Sequence, residues 1–277
     1  MDWVWLDQKL VPGSQAMVSG LEEGFLQGQG LFETMRCYAG KVFALERHLK
    51  RLVESSPVLD IKAPSRKLLE KAVLSVIRGN HLSDGVIRLS VSKHGGGTRL
   101  LCFSRGISLP IPSQYKNGFC AALFRDERIG MSVLNGVKSL NHYFYIRLSL
   151  RAKQKGFDEA FFLNGRAEVV EGSRTNIFLV KENKVLTPDL ASGCLPGVTR
   201  AVVIGLLERS KIPVVEAKIL PKELFSCDEI FVTNSLVGVI AVTRLDKRKV
   251  GAGLVGRVTK KIMAAYEKEV EKECFLG

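Results

Sequence analysis

The 277-residue sequence has no long hydrophobic run, and aromatic residues make up only 8% of it. Its longest apolar stretch, near residues 201–207, is far shorter than the roughly 20 residues that a membrane-spanning helix needs. The first residues show no basic segment followed by an apolar one, so no secretory signal is visible. We therefore expect a cytoplasmic protein without a membrane partner.

Cysteine and histidine are too scattered to form a familiar metal or redox motif. No two of the six cysteines lie closer than 18 positions, and no two of the four histidines lie closer than 13. Zinc sites and thiol–disulfide motifs built from neighbouring residues need pairs a few positions apart. The sequence therefore predicts reduced, mostly buried thiols and no metal ion.

The charge is the unusual bulk property, because 41 basic residues against 28 acidic ones give a net charge of +13. Such an excess suits nucleic acid or small anionic ligands. The basic residues are spread along the whole chain and do not alternate with an aromatic stripe, as they do in single-strand binders. A solvated basic surface is the simplest interpretation, and attraction of a small anionic substrate comes next. A nucleic-acid-binding module is the alternative from another class.

Short strand patterns alternate with a few helical ones along the chain. Apolar residues at helical spacing predict helices over residues 46–55 and 66–77. Runs such as 31–38 and 86–91 predict strands, and further short strands follow in the second half. This mixture predicts an α+β fold with largely antiparallel or mixed sheets and flanking helices.

The length exceeds what one small core requires, and 46% hydrophobic residues suffice to bury two cores. The Pro110–Pro112 segment favours an extended link, because proline restricts the backbone before and within it. We therefore predict a smaller N-terminal domain over residues 1–112 and a larger C-terminal domain over residues 113–277.

Lys138 lies among small and apolar residues, from Asn135 to His142, just before a predicted helix. Such surroundings can desolvate an amine and favour its neutral, nucleophilic form, which a Schiff-base or proton-transfer lysine requires. Taken alone, the residue is more simply described as an ordinary surface lysine, because the chain has 41 basic residues.

Glu171 follows two β-branched residues and precedes a glycine, where a strand changes to a loop. A carboxylate at this point can hold a proton on the ring nitrogen of an electron-sink cofactor. The alternative is a glutamate exposed to solvent at the end of a strand.

The segment from Gly193 to Arg200 leads directly into an apolar helix, whose first N–H groups suit a phosphate, with Thr199 adding a hydroxyl. Thr233, Asn234 and Ser235 end a predicted strand and offer further donors. A glycine–proline loop that caps a helix explains the first segment, and turn chemistry explains the second, equally well.

Together these segments resemble the class IV aminotransferase family, the fold-type IV pyridoxal 5′-phosphate (PLP) enzymes. Each segment is weak evidence by itself, but their order and spacing along most of the chain argue against a chance match. The matching segments are Gly28–Arg36, Glu46–Leu52, Lys138–Asn141, Gly156–Ala160, Glu171–Phe178, Thr187–Pro188, Gly193–Arg200 and Thr233–Ser235.

The resemblance implies PLP as the cofactor, Lys138 as its Schiff-base lysine and general base, and Glu171 as the partner of its ring nitrogen. It also implies a homodimer with the site between the two domains. The phosphate ligands that the resemblance implies are Arg51, Val198, Thr199, Thr233, Asn234 and Ser235.

Two reactions of this family are compatible with the sequence. Thr34 occupies a position where the lyases of the family carry threonine, and its hydroxyl is placed to assist proton transfer. The preferred hypothesis is therefore a lyase that converts 4-amino-4-deoxychorismate to 4-aminobenzoate and pyruvate. The alternative is an aminotransferase that acts on branched-chain or D-amino acids.

Two arginines are candidates for binding the substrate carboxylate. Arg88 occupies a position where branched-chain enzymes have such an arginine, whereas Arg99 is nearest to that of the lyases. The family's usual Arg-Gly after this strand is replaced by Lys93-His94, so the sequence does not choose between them. Either arginine also fits an ordinary surface strand.

Overall fold

A computed structural model describes residues 2–130 and 132–276, and it divides into two compact units. Unit 1 comprises Met1–Ser108, Val137–His142 and Val270–Gly277, and unit 2 comprises Leu109–Gly136 and Tyr143–Glu269. The sequence-based division places residues 137–142 and 270–276 in the C-terminal half, but both segments pack with unit 1. Backbone hydrogen bonds to a strand of unit 1 explain this for the segment that contains Lys138.

Unit 1 contains an antiparallel sheet. Its strands and helices are β1 (Trp3–Leu6), β2 (Lys9–Pro12), α1 (Glu23–Leu26), β3 (Gly30–Tyr38), β4 (Lys41–Val42), α2 (Leu45–Ser55), α3 (Arg66–Gly79), β5 (Gly85–His94) and β6 (Gly97–Arg105). The sheet order is β2-β1-β6-β5-β3-β4. Gly95 and Gly96 join β5 to β6 with φ values of 49° and 77°, the left-handed conformation that a two-residue hairpin turn needs.

One face of this sheet is covered by α2 and α3, because both helices are amphipathic. Leu49 of α2 and Val73 of α3 are fully buried against Leu31 and Met35 of β3. Side chains alternate along a strand, so Phe32, between these two residues in sequence, lies on the other face. Strand β3 therefore contributes to the core with one set of side chains and leaves a second set for a different role.

Unit 2 contains a larger mixed sheet. Its elements are α4 (Pro112–Asn117), β7 (Phe119–Ile129), α5 (Tyr143–Gln154), β8 (Glu159–Asn164), β9 (Val169–Gly172), β10 (Asn176–Lys181), β11 (Lys184–Pro188), α6 (Val198–Arg209), β12 (Val214–Ala217), α7 (Pro221–Leu224), β13 (Glu229–Asn234), β14 (Gly238–Leu245), β15 (Arg248–Lys249) and α8 (Arg257–Glu271). The order is β12-β11-β10-β13-β14-β7-β8-β9, with β15 beside β14.

Three neighbouring pairs of this sheet are parallel, namely β11 with β12, β14 with β7, and β7 with β8, and the other pairs are antiparallel. The predicted α+β fold with antiparallel and mixed sheets is confirmed.

All six cysteines are thiols, and all but Cys120 are buried. Across the described residues, no helix has both the length and the apolar character that crossing a membrane would require.

Candidate functional site

Lys138 is fixed by backbone hydrogen bonds to the open edge of β3. Strand β4 pairs only with the last two residues of β3, so the edge near Leu31 is available. Ser139 forms a β-bridge with Leu31, and the Phe32 N–H donates to the Lys138 carbonyl at 2.9 Å. Lys138 is therefore opposite Phe32, and its Nζ lies 4.6 Å from the centre of the Phe32 ring.

Three nitrogen-bearing side chains surround this Phe32 ring. Besides Lys138, the Arg88 guanidinium carbon lies 3.2 Å from the ring centre, and the His142 ring meets it edge to face at 5.2 Å. Attraction between a cation and the face of an aromatic ring stabilises the first two contacts. Sequence reasoning missed Phe32 and His142, although Phe32 lies in a family-like segment and His142 follows Lys138 by four residues.

His142 is neutral at physiological pH. Burial lowers its pKa, and the positive charges of Lys138 and Arg88 lower it further, to about 4. His142 therefore places an uncharged imidazole near the Lys138 amine.

Exchanging His142 for asparagine is expected to flatten the pH dependence of stability. The pKa of His142 falls from 6.5 to about 4 on folding, so only the unfolded chain takes up a proton as the pH drops between these values. The wild-type protein should lose roughly 2 to 3 kcal/mol of unfolding free energy from this group between pH 7 and about pH 4. Urea denaturation of both proteins across this range measures the difference, and parallel curves would refute the assignment.

Arg88 and Thr34 are cross-strand partners on β5 and β3. An Arg88 terminal nitrogen donates to the Thr34 hydroxyl at 3.0 Å, and this is its one hydrogen bond to the described residues. Burial lowers the pKa of Arg88 to about 10, and the charge of Arg105 contributes to the shift. Arg88 is thus still protonated at neutral pH, and no described carboxylate forms an ion pair with it.

Arg99 has a different environment. It donates to Glu22 at 3.3 and 2.6 Å and to the carboxylate of Asp7. These acids balance its charge, and the hydrogen bonds from Arg99 lower the pKa of Glu22. Its partner on β5 is Ser92, four residues and about 13 Å along the strand from Arg88. The structure thus groups Arg88, but not Arg99, with Thr34 and Phe32.

Arg51 belongs to a buried polar group on the helix-covered face of the sheet. Its Nε and a terminal nitrogen donate to the two carboxylate oxygens of Glu33 at 2.8 and 2.6 Å, and His48 Nδ1 lies 2.7 Å from the same carboxylate. Burial alone would raise the pKa of Glu33, but Arg51 and His48 lower it to about 2. Glu33 therefore fixes the orientation of the predicted phosphate ligand Arg51.

Glu171 lies on β9 of unit 2 and is buried. One of its carboxylate oxygens accepts two hydrogen bonds of 3.0 Å, from the Asn176 side chain and from the Leu195 N–H. The Asn176 amide also donates to the Leu195 carbonyl at 2.9 Å. The carboxylate is thus oriented by neutral donors, and Asn176 is a site residue to which the sequence assigned no role.

The N-terminus of α6 lies close to Asn176. A Cβ on Gly197, the residue before the helix, would come 1.9 Å from the Asn176 side-chain oxygen, so only glycine permits this approach. No side chain caps the helix, and the first N–H groups of an α-helix have no partner within it. Val198 and Thr199, both predicted phosphate ligands, are buried at this end of the helix.

Thr233 is the cross-strand partner of Asn176, and α6 packs against its strand, β13. Its hydroxyl is buried and has no hydrogen-bond partner among the described residues. The side-chain oxygen of Asn234, in contrast, accepts from the N–H groups of Leu236 and Val237 at 2.9 Å. Asn234 therefore stabilises its own turn, where Ser235 also lies, whereas Thr233 can bind a ligand.

Comparison with known proteins identifies the family. The model of the class IV amino-transferases matches residues 30–245. A Methanocaldococcus jannaschii protein, provisionally assigned as a branched-chain-amino-acid aminotransferase, is 35% identical over 95% of each chain.

Two solved structures illustrate the range of similar folds. The branched-chain aminotransferase of Escherichia coli has a TM-score of 0.91 at 25% identity, covering 96% of this chain and 94% of that one. A Legionella pneumophila protein, provisionally assigned as a 4-amino-4-deoxychorismate lyase, has a TM-score of 0.84 at 26% identity, with 92% and 97% covered.

The residues of unit 2 fit PLP. The helix start with Thr199 and the unsatisfied hydroxyl of Thr233 provide donors of the kind that a phosphate group needs. Glu171 provides a buried carboxylate whose orientation is fixed by hydrogen bonds from Asn176 and Leu195. On this fit and on the comparisons, the chain belongs to the class IV aminotransferase family and uses PLP as its cofactor.

Proposed function

We propose that this enzyme is an aminotransferase that moves the amino group of a branched-chain amino acid to a 2-oxo acid. This reverses the order of the two hypotheses in the sequence analysis, where the lyase came first. The proposal depends on one contrast: Arg88, the arginine of the branched-chain pattern, has no carboxylate partner among the described residues, whereas Arg99, nearest to the lyase arginine, is paired with Asp7 and Glu22. The names of the relatives support the same choice.

Bound PLP withdraws electrons from the carbon that bears the substrate's amino group. Lys138 attaches the cofactor through its Nζ and moves the proton at that carbon. Glu171 holds a proton on the ring nitrogen, and its hydrogen bonds from Asn176 and Leu195 keep the carboxylate in one orientation.

The cofactor phosphate is bound by the N–H groups at the start of α6 and by the hydroxyls of Thr199 and Thr233. Arg51, held in one orientation by Glu33, adds a positive charge. Charge-assisted hydrogen bonds of this kind are roughly twice as strong as neutral ones.

Arg88 binds the substrate carboxylate, because a half-buried guanidinium without an anionic partner gains most from one. The Phe32 ring contacts both Arg88 and Lys138 and so holds the two side chains in the same region. The neutral imidazole of His142 adds no charge that would compete for the carboxylate.

Product analysis tests the proposal. The PLP-loaded protein should convert leucine, isoleucine or valine to the matching 2-oxo acid when 2-oxoglutarate is present, with glutamate formed in equal amount. The same preparation should form no 4-aminobenzoate from 4-amino-4-deoxychorismate. Formation of 4-aminobenzoate, or transfer only from D-amino acids, would contradict the proposal.

Exchanging Arg88 for glutamine is expected to weaken substrate binding. Loss of a charged hydrogen bond costs about 1.5 to 3 kcal/mol, so KM for the amino acid should rise about 10- to 100-fold. Steady-state kinetics with leucine measures this change. Arg99→Gln is the matched control: we expect it to lower the melting temperature, because it breaks the pairs with Asp7 and Glu22, and to leave KM unchanged. The opposite pattern would identify Arg99 as the substrate arginine.

The lyase is the second candidate function, and Thr34 favours it. Its oxygen accepts the hydrogen bond from Arg88, so its own proton is directed elsewhere and can be donated to a substrate. The likeness to the Legionella pneumophila protein supports the same reaction. Thr34→Val separates the two: it should abolish 4-aminobenzoate formation in a lyase but reduce amino transfer only slightly.

A further inference from the structure

Glu159, the first residue of β8, is a buried carboxylate that no part of the proposed reaction uses. Apart from the N–H of the next residue, its donors belong to the turn that follows Glu171. The Ser173 N–H and hydroxyl donate at 2.9 and 2.5 Å, the Thr175 hydroxyl at 2.9 Å, and the Arg174 N–H at 3.3 Å. One side chain therefore holds three consecutive residues.

Gly172 makes this arrangement possible. A Cβ at this position would come 2.9 Å from the Glu159 carboxyl carbon and 2.3 Å from the Thr175 hydroxyl. Any larger residue would therefore separate Glu159 from the turn.

The turn determines the orientation of Glu171. It joins β9 to β10, with Glu171 directly before it and Asn176 directly after it. It is closed by a hydrogen bond from the Gly172 N–H to the Thr175 carbonyl at 2.7 Å. The 3.0 Å hydrogen bond from Asn176 to the Glu171 carboxylate spans the same turn, so a shift of the turn changes the distance between donor and acceptor.

We infer that Glu159 is a positioning residue for Glu171: by holding residues 173–175, it keeps Asn176 and Glu171 in contact and aims the Glu171 carboxylate at the cofactor ring nitrogen. This inference rests on the proposed role of Glu171. A glutamine at position 159 keeps one acceptor oxygen but presents an NH₂ group to N–H and O–H donors, which leaves some of them without an acceptor.

The test compares Glu159→Gln with the wild-type enzyme in PLP affinity and in the pH titration of the bound cofactor's absorbance. We expect the dissociation constant for PLP to increase about tenfold in Glu159→Gln, which corresponds to a loss of about 1.4 kcal/mol of binding free energy. The midpoint for loss of the proton on the cofactor ring nitrogen should also move to lower pH, because a displaced carboxylate stabilises that proton less.

Glu229→Gln is a matched control. Glu229 is likewise the first residue of a strand in unit 2, and it accepts from the Val258 and Thr259 N–H groups and the Thr259 hydroxyl at 3.0, 2.8 and 2.6 Å. Its donors belong to the start of α8, not to the turn after Glu171. Glu229→Gln should lower the melting temperature but leave the PLP affinity and the titration midpoint unchanged. Equal shifts in both variants would show that Glu159 acts on overall stability alone, and would overturn the inference.

Two further variants separate the possible failures. If Glu171→Gln leaves the titration unchanged, the proposed role of Glu171 is wrong. If Glu171→Gln shifts it and Glu159→Gln does not, only the positioning role is wrong. The double variant should behave like Glu171→Gln alone, because both act through one carboxylate. If Glu159→Gln does not fold, Thr175→Val replaces it, because this exchange removes only one of the donors to Glu159. A smaller shift of the titration midpoint in the same direction would support the inference. An unchanged midpoint would overturn it.

Discussion

Replacing Lys138 by alanine is expected to abolish the covalent attachment of PLP and to lower kcat by at least about 10⁴-fold, the upper range for a general base. The expectation follows from the position of the amine. Its backbone is fixed to β3, and its Nζ lies beside the Phe32 ring and close to the neutral His142. A neighbouring side chain cannot replace an amine that both binds the cofactor and moves the proton.

Borohydride reduction followed by mass spectrometry measures the attachment directly. The wild-type peptide that contains Lys138 should gain the mass of reduced PLP, and the variant should show no modified lysine. Lys153→Ala, an exposed lysine of α5, is the control and should keep full activity and labelling. A reduced adduct on another lysine, or retained activity in Lys138→Ala, would refute the role.

Exchanging Glu171 for glutamine has the second-largest expected effect. The buried carboxylate accepts hydrogen bonds from Asn176 and Leu195, and in the proposed function its negative charge keeps a proton on the cofactor ring nitrogen. Removing one partner of a buried charged pair costs about 3 to 5 kcal/mol, so kcat should fall by about 10²-fold to 5 × 10³-fold. The effect should appear in kcat rather than KM, because the proposed ligand of the substrate carboxylate is Arg88, not Glu171.

Single-turnover kinetics and the pH titration of the cofactor absorbance measure this loss. Glu168→Gln provides the comparison, because Glu168 is also buried but pairs with Arg166 and Asn164. We expect it to lower stability without affecting the chemical step. Equal losses of kcat in both variants would indicate a general defect in folding instead of a lost proton partner.

The helices and long strands were predictable because their patterns are local. The apolar spacing in α2 and α3 and the alternation in β3 follow directly from the side of each element that is buried. Strands β2 and β15 escaped prediction, because such short segments form strands only through their partners in the sheet. The α4 helix was also missed, since Pro112, interpreted as part of an extended link, begins it instead.

The site was predictable in its residue types but not in its partners. Lys138 and Glu171 could be selected by their flanking sequence and the family resemblance. The choice between Arg88 and Arg99 could not be made, because it depends on Glu22, which precedes Arg99 by 77 residues. The hydrogen bonds between Asn176 and Leu195 and between Arg51 and Glu33 likewise join residues far apart in the sequence.

The sequence by itself therefore determined the family, the cofactor and the α+β composition, and it predicted the residue that attaches PLP, since each depends on patterns within short segments. The tertiary structure decided which charges are already paired, that Lys138 packs with unit 1, and that Glu159 holds the turn after Glu171. The physical reason is that a buried charge or hydroxyl acquires its properties from the groups around it. Those groups come from strands and turns far away in the chain, and only folding brings them within hydrogen-bonding distance.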